Sequence, residues 1–126
     1  MAVARKAKKL APVARGRIYV QATFNNTIIS VTDAQGGVIS WASAGGQGFK
    51  GARKATPYAA QTAMQAALDK AKLRGFQEAD VFVSGVGSGR EQAVRSIAGT
   101  GVAVTSITDV TPIAHNGVRA KKPRRV

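Results

Sequence analysis

The polar and apolar positions fall into two periods. Ile18, Val20, Ala22 and Phe24 alternate with Tyr19, Gln21 and Thr23, the period of two that marks a half-buried strand. Asn25-Asn26 follows, a pair that tolerates the positive φ of a tight hairpin turn. Thr27 to Thr32 reads as a second, β-branched strand, Asp33 to Gly37 as a turn, and Val38 to Ser43 as a third strand. Three strands joined by short turns predict an antiparallel meander. The period then changes: Ala60, Ala63, Met64, Ala67, Leu68 and Ala71 recur at helical spacing. The helix is expected from Pro57 to about Arg74, with Gly75 as its stop and the alanines allowing close packing on a sheet.

Val81-Phe82-Val83 is continuous and apolar, as expected of a strand buried on both faces. Ser88 and Glu91 fit a capping box that opens a second helix through Val94 and Ile97, closed by Gly99 and Gly101. Val102 to Val110 is a fifth strand. The sequence therefore predicts an α/β fold, a three-strand antiparallel meander followed by β-α-β-α-β, in one mixed five-stranded sheet with right-handed crossovers.

Charge changes the picture. The 19 Lys and Arg against 6 Asp and Glu give a net charge of +13, and self-repulsion on that scale calls for an acidic partner. Residues 1–17 carry Arg5, Lys6, Lys8, Lys9, Arg15 and Arg17 with no acid, and residues 113–126 carry Arg119, Lys121, Lys122, Arg124 and Arg125, again with none. The division is thus a basic extension at 1–17, a nearly balanced core at 18–112 and a second basic extension at 113–126. Such tails are disordered alone and order on a polyanion. Nucleic acid is the leading partner; an anionic membrane surface is the other, though no amphipathic basic helix or lipidation signal accompanies it.

With no cysteine, disulfides, zinc–thiolate sites and thiol nucleophiles are excluded. No apolar run approaches the ~18 residues that span a bilayer, and Met1 to Arg17 lacks the apolar centre of a secretory signal, so a cytoplasmic location is expected. His115 is the sole histidine, Glu91 has a capping task, and no paired carboxylates or nucleophile–base pair appear. Neither an enzyme nor a cofactor or metal site is expected.

Two glycine-rich loops carry the candidate chemistry. Gly45 to Pro57 joins the third strand to the long helix, with Lys50, Arg53 and Lys54 beside Gly48 and Gly51, and Thr56-Pro57 as N-cap and first helical residue. Positive φ, open N–H groups, clustered cations and a helix N-terminus all suit a phosphate. The Walker pattern fails, because Ala52 and Arg53 stand where Lys and Ser or Thr are required. The second loop, Gly85 to Arg90, follows a strand and opens a helix, as in a dinucleotide fold, but Arg90 occupies the third glycine's place. We read Gly87, Ser88, Gly89 and Arg90 as a second phosphate cradle, with a plain capped helix start nearly as well supported. A nucleotide-binding enzyme using Gly85 to Gly89 is the alternative. In the extended tail His115 is a candidate for base stacking or phosphate contact.

The runs Gly48 to Gln61 (GFKGARKATPYAAQ) and Gly87 to Ala93 (GSGREQA), with the His115-Asn116-Gly117 tail and the Asn25 to Ile28 turn, closely resemble the family of the eleventh protein of the small ribosomal subunit, in its bacterial form. The resemblance covers nearly the whole chain. It implies a ribonuclease-H-like topology without catalytic carboxylates and a place on the platform of the small subunit. It also implies contact with small-subunit rRNA near the mRNA exit, where the Shine–Dalgarno duplex sits. The neighbours it implies are the sixth, seventh, eighteenth and twenty-first proteins of that subunit. The RNA-facing residues it implies are Lys50, Gly51, Arg53, Lys54, Gly87, Ser88, Gly89, Arg90, His115, Asn116 and Arg119, with the terminal Lys121, Lys122, Arg124 and Arg125; Arg15 and Arg17 join them from the N-terminal run. Ala52, Ala55, Ala114, Val118 and Ala120 depart from the family's usual residues, and the loss of two prolines leaves the tail less stiff.

Overall fold

A computed structural model describes residues 12–123, so Arg5, Lys6, Lys8 and Lys9 at one end and Arg124 and Arg125 at the other lie outside the described residues. The elements are β1 (Arg15–Ala22), β2 (Thr27–Asp33), β3 (Val38–Ser43), two short 3-10 turns (Gly45–Gln47 and Gly51–Ala55), α1 (Pro57–Lys72), β4 (Glu78–Ser84), α2 (Arg90–Gly99) and β5 (Ala103–Asp109). They form one mixed five-stranded sheet in the order β3-β2-β1-β4-β5. The first three strands are the expected antiparallel meander, and β4 and β5 add in parallel beside β1.

The period of two in β1 places Ile18, Val20 and Ala22 under the helices, fully buried or nearly so. Ile29 and Val31 of β2 and Val81 and Val83 of β4 share that face, against Ala63, Met64, Ala67 and Leu68 of α1 and Ala93 and Ile97 of α2. The small alanines bring α1 close enough for the Ser40 hydroxyl to donate to the Ala67 carbonyl at 2.8 Å. Both helices thus cover one face of the sheet, giving two layers.

That arrangement corrects the expectation for β4. Val81 and Val83 are buried, but Phe82 points to the uncovered face and is half-buried, stacked on Tyr19 with ring centroids 5.2 Å apart. No described element packs a third layer there, so a continuous apolar run still yields a one-sided strand. β5 departs further: all its residues are exposed, because it is the edge strand, although α2 meets it as well as β1.

Two local expectations also change. The turn between β1 and β2 uses no positive φ at Asn25 or Asn26. Instead the Thr23 hydroxyl accepts from the N–H groups of Asn25 and Asn26, and the Asn26 side-chain oxygen accepts from the Thr27 N–H. The Ser88–Glu91 capping box does not form: Gly89 is the N-cap of α2 with no side-chain cap, Ser88 donates to the Ala55 carbonyl, and Glu91 pairs with Arg95 instead.

Candidate nucleic-acid interface

The order of elements gathers the loops. β1, β3, β4 and β5 run in one direction and the helices return, so both helix N-termini open at the carboxyl ends of these strands. That end holds both glycine loops, the β1–β2 turn and the root of the C-terminal segment. Open α/β sheets bind ligands at this end.

The first loop matches its expected form where it enters the helix. Thr56 is the N-cap of α1, its hydroxyl accepting from the Ala59 N–H at 3.2 Å, and Pro57 is the first helical residue. The first turn of α1 contains no acid, so the positive end of its dipole is not neutralised by a side chain. Before it the chain makes two 3-10 turns, with Gly48 at φ 91° and Gly51 at φ 60°. A Cβ added at either glycine would meet nothing within 4 Å. These glycines therefore serve conformation, and their outer sides are open. Lys50 and Arg53 are exposed and Lys54 half-exposed. Among the described residues none of the three is in an ion pair.

The second loop has opposite character. Gly87 and Gly89 are buried. A Cβ at Gly87 would lie 2.2 Å from the Thr23 carbonyl oxygen, and one at Gly89 2.7 Å from the Ala60 Cβ. The Gly87 N–H donates to the Ala22 carbonyl at 3.1 Å. Arg90 turns inward along the same seam, donating to the Gly85 carbonyl at 2.9 Å and to the Asp109 carboxylate at 2.7 Å. The other oxygen of Asp109 accepts from the Thr111 N–H and hydroxyl, and the Thr111 hydroxyl accepts from the Gly85 N–H. The Arg90 and Thr111 hydrogen bonds hold the Asp109 carboxyl well below the usual carboxylate range. The exposed Ser88 reaches across to Ala55, tying the second loop to the end of the first.

The other expected residues divide between the two ends of the sheet. His115, Asn116, Arg119, Lys121 and Lys122 are exposed on a segment without helix or strand, which leaves the loop end of the sheet after Asp109. Asn116, at φ 56°, is the one non-glycine residue with positive φ among the described residues. Arg15 and Arg17 lie at the start of β1, the far end. There Arg15 stands 3.8 Å from Asp80, and Arg17 donates to the Tyr19 hydroxyl and lies over the Phe82 ring. Among the described residues no group of His, Cys, Asp and Glu is arranged to hold a metal ion, and no helix is long and apolar enough to cross a membrane.

The family described as ribosomal protein S11 matches residues 16–125. The chain belongs to the ribosomal protein S11 family. Two relatives, each called small ribosomal subunit protein uS11, come from two strains of Treponema pallidum, one of subspecies pallidum and the other the Nichols strain. Each is 56% identical over 126 residues, all of both chains. As a member of the S11 family, the chain has a structural role in the small ribosomal subunit. Sequence reasoning missed the Arg90–Asp109–Thr111 brace, since nothing local joins residues on different elements. It also missed the Tyr19–Phe82 stack, whose only signal is the aromatic at the polar phase of each strand.

Proposed function

We propose that this S11-family protein binds small-subunit rRNA on the platform, near the mRNA exit and the Shine–Dalgarno duplex, and there clamps folded RNA in place during translation. The observation that carries this reading is the first glycine loop. Lys50, Arg53 and Lys54 stand without ion pairs among the described residues, on a backbone whose Gly48 and Gly51 face open space, ahead of a helix N-terminus that no acid neutralises. That combination suits sugar–phosphate strands. The exposed Arg119, Lys121 and Lys122 extend the same chemistry along the tail, and His115 and Asn116 offer ring and amide groups to nucleotides. Gly87, Ser88, Gly89 and Arg90 contribute by shaping the floor on which the first loop rests. The sixth, seventh, eighteenth and twenty-first proteins of the subunit are the proposed neighbours, with mRNA nearby, within the cytoplasmic ribosome.

The reading assigns no reaction and no cofactor. A dinucleotide at the Gly85 to Gly89 turn would need room where Thr23 and Ala60 already stand. Sedimentation with small subunits after a moderate salt wash tests the assignment, with equilibrium binding of a labelled dinucleotide in parallel. Co-sedimentation and no dinucleotide binding are expected. Release from the subunit at moderate salt, or stoichiometric dinucleotide binding, would overturn it.

A further inference from the structure

β5 is the strand that the chain leaves unfinished. It is a sheet edge, paired only with β4, and every residue from Ala103 to Asp109 is exposed. The other edge, β3, is backed by α1, with Ser40 and Ala42 buried. Proteins blunt exposed edges with lysine, proline or bulges. β5 contains neither lysine nor proline, and its one register shift lies opposite Ala79 and Asp80, leaving Ser106 to Asp109 regular. The Val110 N–H donates inward to the Val83 carbonyl at 2.8 Å. By alternation along the strand, the N–H and C=O groups of Ile107 and Asp109 point outward, away from β4.

Beside this edge runs a groove of about 350 Å³ between α2 and β5, lined by Val83, Arg90, Glu91, Val94, Arg95 and Ile107. Its floor is apolar, and Ile107 is 58% exposed. Val104 and Ile107 pair with Ala79 and Val81, whose side chains face the helices, so both lie on the groove side of the strand.

We propose that β5 is a docking edge, to which an extended segment of a neighbouring small-subunit protein adds as a sixth strand, setting a bulky apolar side chain on Ile107 and Val94. The edge itself names the class of occupant. A row of outward donors and acceptors repeating every second residue is matched by another polypeptide backbone and not by a phosphate chain. Charge agrees: the cations of the first loop follow β3, at the opposite edge of the sheet, whereas Arg90 and Arg95 in the groove already face Asp109 and Glu91. The proposal rests on membership of the small subunit and goes beyond RNA binding.

The test compares the full chain free and within purified small subunits. Amide exchange at Ile107 and Asp109 is expected to be fast in the free chain and at least 100-fold slower in the subunit. A benzoyl-phenylalanine photoprobe at Val104 is expected to cross-link to a protein peptide. Ile107→Pro removes an outward N–H and leaves the ladder to β4 intact, as edge prolines do. It should cut that cross-link about tenfold, whereas Ile107→Thr, which keeps the N–H, should cut it less. Circular dichroism and thermal melting of both variants check that the fold persists; if Ile107→Pro melts early, the exchange and cross-linking of the unsubstituted chain still decide. Unchanged exchange on incorporation, or a cross-link to rRNA alone, would overturn the proposal. Failure of the chain to enter subunits at all would instead overturn the functional reading above.

Discussion

Arg90 and Asp109 are nineteen residues apart in sequence and 2.7 Å apart in space, joining the first turn of α2 to the end of β5. With Thr111 and Gly85 they close the seam between the second loop and the root of the C-terminal segment. The pair is partly exposed, so salt screens it.

Its pH dependence has a definite sign. Asp109 is held below the usual carboxylate range in the fold, first by Arg90 and then by Thr111. Its stabilisation is therefore complete above the ordinary carboxylate value of about 3.9 and is lost as pH falls from there toward the lower folded value. Asp109→Asn should lower the urea midpoint at neutral pH and flatten its decline below about pH 4. Asp80, also depressed, by Thr105 and Ser106, keeps part of that decline in the variant. An acid limb identical to that of the unsubstituted chain would remove Asp109 from the account.

The two glycine loops should respond differently to alanine. At Gly87 the new Cβ would meet the Thr23 carbonyl oxygen at 2.2 Å, a backbone atom that cannot yield by a rotamer change. We expect Gly87→Ala to cost at least the about 1–3 kcal/mol typical of overpacking. Gly48→Ala meets open space and suffers only its φ of 91°, for about 1–2 kcal/mol. Chemical denaturation of both variants ranks them.

Thr27 is fully buried, and its hydroxyl has no hydrogen-bond partner among the described residues. Thr27→Val keeps the shape and removes the unsatisfied oxygen, so stability should be unchanged or rise by about 1 kcal/mol. Ser40→Ala is the contrast: it deletes the buried bond to the Ala67 carbonyl and should cost about 1 kcal/mol. Equal destabilisation of the two variants would mean that the Thr27 hydroxyl is satisfied after all.

Salt dependence separates cations that face RNA from those that brace the fold. Removing one phosphate-binding cation should reduce the slope of log K against log salt by about 0.7–0.9. Replacing Arg53 and Lys54 together by Ala should therefore flatten the slope for rRNA by about 1.4–1.8. Arg90→Ala should lower stability and leave the slope unchanged. Filter binding across a salt series reads both, and an unaltered slope in the Arg53/Lys54 variant would count against the first loop as an RNA-binding element.

By itself the sequence determined the meander, both helices, the fifth strand and the Thr56-Pro57 start of α1, because period and capping are set by neighbours in the chain. It also determined the excess of cations and the absence of thiol chemistry, which are matters of composition. Only the tertiary structure decided which glycines are open and which are filled. Gly48 and Gly87 look alike in sequence, and the difference lies in Thr23, brought over Gly87 by the pairing of β1 with β4. The same holds for Arg90, a free cation on paper until β5 sets Asp109 beside it, and for Phe82, whose burial depended on whether any layer would form beyond the sheet. Periodicity is a local property of the chain, whereas the partner of an exposed group is fixed by elements far away in sequence.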